Sequence, residues 1–330
     1  MPKYVKFFIL FITSVLVLTI FLLFISPSPF LNVVKTRTPK LPGYTPPHNF
    51  SQLKNDSYTE KNISYNSSFT NNKYDIYIPK RKSNPPIVVF FHGGGFITGD
   101  KNMAKYFGPT LAAEGYAVIS VNYELAPKST LDDQILQATD FINDLPTIAD
   151  KFKLDNNNIF LSGSSAGGYL AAQLGTARYN KTYNKIDKQT IDDEIKIKGL
   201  ILYSAPYKLS FIQDYPVDNW LFKLSVFEMG WALTGERFWK NDPKLGDKYN
   251  LEPYITTQFP PVFITDGNKK TFTQQAKEYE EALKKHRVDT TSLFFPDTRD
   301  VNHGYQMNMR TPESEEALSK TLSFLEKWTQ

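Results

Sequence analysis

Cysteine is missing from this chain altogether, and histidine occurs only four times in 330 residues. The first absence excludes disulfides, thiolate metal sites, a cysteine nucleophile and a lipid-modified N-terminal cysteine. The second leaves few candidates for chemistry that needs a proton carrier near neutral pH. Lysine and arginine form no dense stripe with interleaved aromatics and the formal net charge is only +4, so nucleic-acid binding has little support. No internal repeat is present. A hydrophobic fraction of 41% with 22% charged residues describes a globular protein rather than a disordered one. The length allows one large α/β domain or two small ones.

Charge is also lacking from residues 7–25, an apolar run preceded by Lys3 and Lys6. As a helix it would reach roughly 28 Å, close to the ~30 Å hydrocarbon core of a bilayer. A transmembrane signal anchor is expected over 7–25, with a short cytoplasmic segment over 1–6 and the body of the chain outside the cytoplasm. The alternative is a secreted protein freed by signal cleavage. Against it, the run exceeds the ~7–15 residues of a signal core and ends in Ile25-Ser26-Pro27-Ser28-Pro29 without an A-x-A-like site. Lys35, Arg37 and Lys40 flank the far side, which leaves the orientation open. Residues 26–59, rich in Pro, Asn, Ser and Thr, read as a linker or stalk. The N-x-S matches at Asn49, Asn55, Asn62 and Asn66 carry little weight in so Asn-rich a chain.

From residue 60 to 330 the pattern is that of a folded α/β domain. Residues 73–78 alternate polar and apolar, as a half-buried strand does. Ile87-Val88-Val89-Phe90-Phe91 is a continuous apolar run, the mark of a strand buried on both faces. Further strands are expected at 116–121, 159–161, 197–203, 262–265 and 290–295. Helices are expected at 103–114, in a segment ending near Asp144, at 166–176 and at 271–286. A last helix is opened by Thr311-Pro312-Glu313, with Thr311 as N-cap and Pro312 at the first helical position. This alternation predicts a mostly parallel central sheet with crossover helices on both faces. Residues 179–194 read as a solvated insertion. Residues 208–254 break the rhythm and carry Trp220, Trp231 and Trp239 with Phe211, Leu221, Phe222, Leu224, Phe227 and Leu233. A helical cap over the site is expected there, a further part of the core being the alternative.

Chemistry concentrates in three places. Gly163-Ser164-Ser165-Ala166-Gly167 fits G-x-S-x-G between a buried strand and a helix of small residues. Such a sharp turn strains the Ser165 backbone and lifts its hydroxyl above the sheet, and Gly163 and Gly167 are needed where a Cβ would collide. His92-Gly93-Gly94-Gly95 follows the central strand, its glycines leaving backbone N–H groups bare to approach a ligand. A serine hydroxyl needs a base. His92 is better suited to holding the glycine loop, His48 lies in the stalk and His286 ends an amphipathic helix among cations. His303, in the loop Asp300-Val301-Asn302-His303-Gly304-Tyr305 after the last strand, remains as the base.

His92-Gly93-Gly94-Gly95, Asn122-Tyr123-Glu124-Leu125-Ala126-Pro127, Gly163–Gly167 and His303-Gly304-Tyr305 occur in the order and spacing of the α/β-hydrolase fold, and the combination resembles the hormone-sensitive-lipase-like carboxylesterases over residues 60–330. The resemblance implies an oxyanion hole from the N–H groups of Gly94, Gly95 (with Gly93 a further candidate) and Ala166, and a helical cap shaping an acyl pocket. It implies an acid several residues past the strand that follows Pro260-Pro261, but that place holds Lys269 and Lys270. Asp266, at the strand end, keeps the chain order Ser, Asp, His. Its alternatives are a plain turn at Asp266-Gly267-Asn268, with Asp297, Asp300 or no acid behind His303.

The expectation is a serine hydrolase for short- or medium-chain carboxylic esters, with catalytic Ser165, His303 and Asp266 and no metal or cofactor. Its partners would be a small-molecule ester and, through residues 7–25, a membrane; the oligomeric state stays open. Alternatives are an amidase or peptidase, a polysaccharide deacetylase, a lipase for long acyl chains, or a non-catalytic anchored binding protein on the same scaffold.

Overall fold

The computed structural model describes residues 2–37, 44–209 and 220–329. Lys40 and Phe211 lie outside the described residues, as do the side chains of Leu221 and Phe222. Eight strands form one sheet: β1 (Ser57–Ser64), β2 (Lys73–Pro79), β3 (Pro86–Phe91), β4 (Ala117–Val121), β5 (Asp155–Ser164), β6 (Ile197–Tyr203), β7 (Val262–Thr265) and β8 (Thr290–Leu293). Their order is β1-β2-β4-β3-β5-β6-β7-β8. The pairs β1/β2 and β2/β4 are antiparallel, and every pair from β4 to β8 is parallel.

The apolar run of β3 divides by period two between the faces. Ile87, Val89 and Phe91 join one core cluster, while Val88 and Phe90 join the other, all fully buried. The first face is covered by α5 (Leu131–Phe152), α6 (Ala166–Tyr179) and α9 (Thr273–Lys285), the second by α4 (Phe107–Ala113) and α10 (Pro312–Trp328). On α10, Thr311 caps the Ser314 N–H and Pro312 sits in the first turn, as expected from sequence. α5 runs past Asp144 to Phe152 with Pro146 inside it. Its Thr130–Asp133 capping box and buried face of Ile135, Ala138, Phe141, Ile142 and Leu145 outweigh one missing N–H donor.

β2 is not half-buried: every residue from Tyr74 to Pro79 is buried. The polar phase of its alternation holds Asp75, whose carboxylate pairs with Lys101 at 3.4 Å, both side chains almost fully enclosed. Residues 208–254 contain α7 (Trp220–Thr234), α8 (Pro243–Lys248) and two short 3₁₀ turns, Trp239–Asn241 and Glu252–Tyr254. Trp231, Leu233 and Trp239 are buried in the first core cluster, so this insertion also contributes to the core.

The N-terminal part departs most from expectation. Residues 3–25 form α1 (Lys3–Ile25), but among the described residues no helix is long and apolar enough to cross a membrane. The transmembrane anchor therefore gains no support from the structure. Residues 26–59 are not a plain stalk. They hold α2 (Ser28–Arg37) and α3 (Phe50–Asn55), and β1 begins at Ser57. Leu31 of α2 is fully buried in the first core cluster. Thr45 bridges to Asn308, Met309 N–H donates to the Thr45 carbonyl at 3.2 Å, and Arg310 Nε donates to that of Pro46 at 2.9 Å. Pro- and Asn-rich composition reads as a linker because it forms no periodic pattern, yet one buried leucine and a few hydrogen bonds lace it down.

Candidate active site

The site forms where parallel strands end. β5 delivers Ser165 at the entrance to α6, with φ 55° and ψ −121°, a conformation an L-residue holds only under constraint. The glycines permit it. A Cβ on Gly163 would stand 2.2 Å from the Gly167 carbonyl, and one on Gly167 would stand 2.0 Å from the Phe91 carbonyl oxygen. Ser165 N–H donates to the Tyr203 carbonyl at 2.8 Å, fixing the turn to β6.

The glycine loop lies directly against this elbow. A Cβ at Gly93 would meet the Ser164 carbonyl oxygen at 2.8 Å and Ser165 Cβ at 3.3 Å. Gly94 and Gly95 take φ 120° and 60°. The Gly94 carbonyl is turned away, accepting from the N–H groups of Ile97 and Thr98 at 3.2 and 3.0 Å. His92 is completely buried, stacked on Tyr123 with centroids 4.4 Å apart, and its Nδ1–H donates to the Gly93 carbonyl at 2.8 Å. Tyr123 Oη–H donates to the His92 carbonyl at 2.8 Å. Burial pushes the His92 imidazole down to about 4, so it is neutral and braces the loop. As the first residue of a helix, Ala166 carries an N–H without an intrahelical partner.

His303 closes the arrangement, its Nε2 3.0 Å from Ser165 Oγ. Gly304, at φ 69°, turns the chain, and its N–H donates to Ser204 Oγ at 3.2 Å. Phe272 packs edge-on against the imidazole, centroids 5.3 Å apart. Desolvation draws His303 down to about 4, toward the neutral base, a pull that its exposure to solvent moderates.

Behind His303 the connection is indirect. Nδ1 faces Thr271 Oγ1 at 2.8 Å, and the Thr271 hydroxyl donates to Asp266 Oδ1. Asp266, fully buried just past β7, also accepts from the N–H groups of Gly267 at 2.8 Å and Phe272 at 3.0 Å. Burial pushes its carboxyl up to about 6, against the opposing pull of hydrogen bonds from Thr271, Ser204, Gly267 and Phe272. Among the described residues no carboxylate bonds His303 directly. Asp297 and Asp300 are exposed, and Asp300 pairs with Lys269 at 3.2 Å. The Asp266-Gly267-Asn268 turn clamps the two loops together. Asn268 Nδ2 donates to the carbonyls of Pro296 and Arg299, and Asn268 Oδ1 accepts from Val301 N–H at 3.0 Å.

A cavity of ≈ 420 Å³ opens over Ser165 and His303, walled by Gly93, Gly94, Gly95, Ile97, Thr98 and Met103, and by Tyr44. Met229 of α7 lies near the loop, its Sδ 3.9 Å from where a Gly95 Cβ would be. Sequence reasoning missed Thr271, Ser204, Asn268 and Tyr44. The first three belong to no motif, and the acid search passed over hydroxyls; Tyr44 lies in what reads as linker. Among the described residues no group of His, Asp and Glu is arranged to hold a metal ion.

A family model, BD-FAE, matches residues 74–283. The chain is 27% identical over 216 residues to isoprenylcysteine alpha-carbonyl methylesterase of Arabidopsis thaliana, covering 61% of this chain and 49% of the relative. It thus spans about half the length of that relative. Kynurenine formamidase of Danio rerio is 25% identical over 232 residues, 70% of each chain. Among solved structures, esterase B from Lactobacillus Rhamnosis superposes with a TM-score of 0.73 at 21% identity, covering 86% of this chain and 88% of that one. A bacterial heroin esterase does so with 0.69 at 19%, covering 92% and 98%. Identities this low establish the fold they share, the α/β-hydrolase fold.

Proposed function

This chain belongs to the BD-FAE family, an α/β-hydrolase family, and on that premise we propose that it is a serine hydrolase cleaving carboxylic esters of short or medium acyl chain. The observation that carries the reading is Ser165 on its strained elbow, hydrogen-bonded to His303 at 3.0 Å and facing a cavity floored by the glycine loop. Ser165 Oγ attacks the ester carbonyl as His303 Nε2 takes its proton. The N–H groups of Gly94, Gly95 and Ala166 receive the oxyanion, and His303 then protonates the leaving alcohol. Water repeats the sequence on the acyl-enzyme. Asp266 is the orienting acid, a buried carboxylate connected to His303 through Thr271, which supports it over the exposed Asp297 and Asp300.

The acyl-length assignment rests on the ≈ 420 Å³ cavity, at the small end of the ~300–1,000 Å³ of ligand sites. The methylesterase and formamidase names among the relatives suit a small acyl or alkoxy group and keep amide cleavage as the second reading. Hydrolysis of p-nitrophenyl acetate and butyrate by wild type and Ser165→Ala tests the proposal. A loss of about 10³-fold or more in kcat is expected. Equal activity in the two proteins would remove the hydrolase reading, and anilides cleaved faster than esters would favour the amidase.

We also propose that residues 7–25 hold the chain at a membrane. Support comes from the sequence, the uncharged apolar run itself. Retention of the full chain in membrane pellets after alkaline carbonate wash is expected; release into the supernatant contradicts it.

A further inference from the structure

We infer that Thr271 is the positioning residue through which the buried acid acts on the base, a hydroxyl inserted between Asp266 and His303. This deepens the serine-hydrolase reading and rests on it. A threonine hydroxyl has one proton to give, whereas an ionised carboxylate can only accept. Thr271 Oγ1 lies within hydrogen-bond distance of both Asp266 Oδ1 and His303 Nδ1. With Asp266 ionised, the hydroxyl proton points to Oδ1, and the lone pairs on Oγ1 are left facing Nδ1 at 2.8 Å. That contact is favourable only if Nδ1 carries a hydrogen. Nε2 is then the bare acceptor, aimed at Ser165 Oγ at 3.0 Å, the tautomer a general base requires.

The geometry explains why a spacer is present. Asp266 directly follows the last residue of β7 and is fully buried, its second oxygen tied to Phe272 N–H at 3.0 Å. The carboxylate cannot swing toward His303 without giving up those bonds. Thr271 and Phe272 sit on the turn that Asp266 itself holds, so one carboxylate fixes both the hydroxyl behind the imidazole and the ring that wedges against it. During the reaction the Ser165 proton moves to Nε2 while Nδ1 keeps its own. The positive charge on the ring is met by a hydroxyl that Asp266 polarises, two hydrogen bonds in series. No proton leaves Thr271.

The test is a double-mutant cycle of Thr271→Val and Asp266→Asn, with Thr271→Ser as the conservative variant, on p-nitrophenyl acetate. Thr271→Val is expected to lower kcat by about 10²–10⁴-fold with little change in KM, and Thr271→Ser to stay within about tenfold of wild type. Because both side chains act through one path, the double variant is expected to be no slower than the slower single one. The ¹⁵N spectrum of His303 is expected to show Nδ1–H in wild type and Thr271→Ser, and to lose that preference in Thr271→Val. Thr271→Val within threefold of wild type, losses that multiply in the double variant, or an Nε2–H tautomer in wild type would each overturn the inference. The wild-type spectrum decides even if the valine variant does not fold. An inactive Ser165→Ala beside an active Thr271→Val sinks the bridge alone, whereas an active Ser165→Ala sinks the hydrolase as well.

Discussion

Burial holds the His92 imidazole in the neutral form and pushes the carboxyl of the fully buried Asp266 the other way. For Asp266 the consequence has a sign. Its folded value of about 6 lies above the ~3.9 of an unfolded aspartate, so the folded state binds the proton more tightly. That contribution is fully present below the unfolded value and is lost as pH rises through about 6. Melting curves of wild type and Asp266→Asn from pH 8 to 4 are expected to show wild type gaining on the variant by the equivalent of about 2–3 kcal/mol. A pH-independent difference would contradict an ionisable carboxylate buried there. Gly167 gives a steric counterpart. Gly167→Ala places a Cβ 2.0 Å from the Phe91 carbonyl oxygen, backbone that cannot yield, and loss of folded protein is expected in circular dichroism. Ser165, His303 and these glycines were legible in the sequence because each belongs to a spaced motif. Thr271 was not, since its role arises only when the turn after β7 brings a hydroxyl between two groups remote in sequence from each other.

At the scale of elements, the informative piece is the strap around Tyr44. It is joined to the last loops by the Thr45–Asn308 bridge and by Arg310 on Pro46, and it sets Tyr44 in the cavity wall together with Met103 and Ile97. Tyr44→Ala is expected to enlarge the pocket and shift the preferred p-nitrophenyl ester toward longer acyl chains, with Ser165 labelling unchanged. An unaltered chain-length profile would remove Tyr44 from the binding wall. The sequence concealed this element because a few hydrogen bonds to the carbonyls of Thr45 and Pro46 leave no hydrophobic period. The strands and helices flanking the motifs were readable for the opposite reason: Phe90 and Phe91, or Leu318, Leu322 and Leu325, repeat at the period of a buried strand or a one-sided helix.

Across the whole molecule, a mostly parallel sheet with its interior strands buried on both faces leaves little room for charge, and Lys101–Asp75 is an ion pair almost fully enclosed within it. Lys101 N–H also donates to Asn122 Oδ1 at 2.6 Å, and Ser120 Oγ donates to the Lys101 carbonyl at 2.8 Å. The pair thus joins β2 and β4 to the segment following the glycine loop. Lys101→Met is expected to lose about 3–5 kcal/mol in urea denaturation, since it leaves Asp75 charged and buried. A loss below about 1 kcal/mol would place the pair among ion pairs of little weight. The sequence reading took residues 73–78 for a half-buried strand; pattern alone cannot tell a polar residue facing water from one facing a buried partner. The central claim is that Ser165 is a nucleophile activated by His303. Incubation of folded protein with a fluorophosphonate probe, followed by peptide mass spectrometry, tests it most directly. A single adduct on the Ser165 peptide, abolished in Ser165→Ala and slowed at least about 10²-fold in His303→Ala, is the predicted result. No adduct in folded wild-type protein, or one carried by another serine, would contradict the claim.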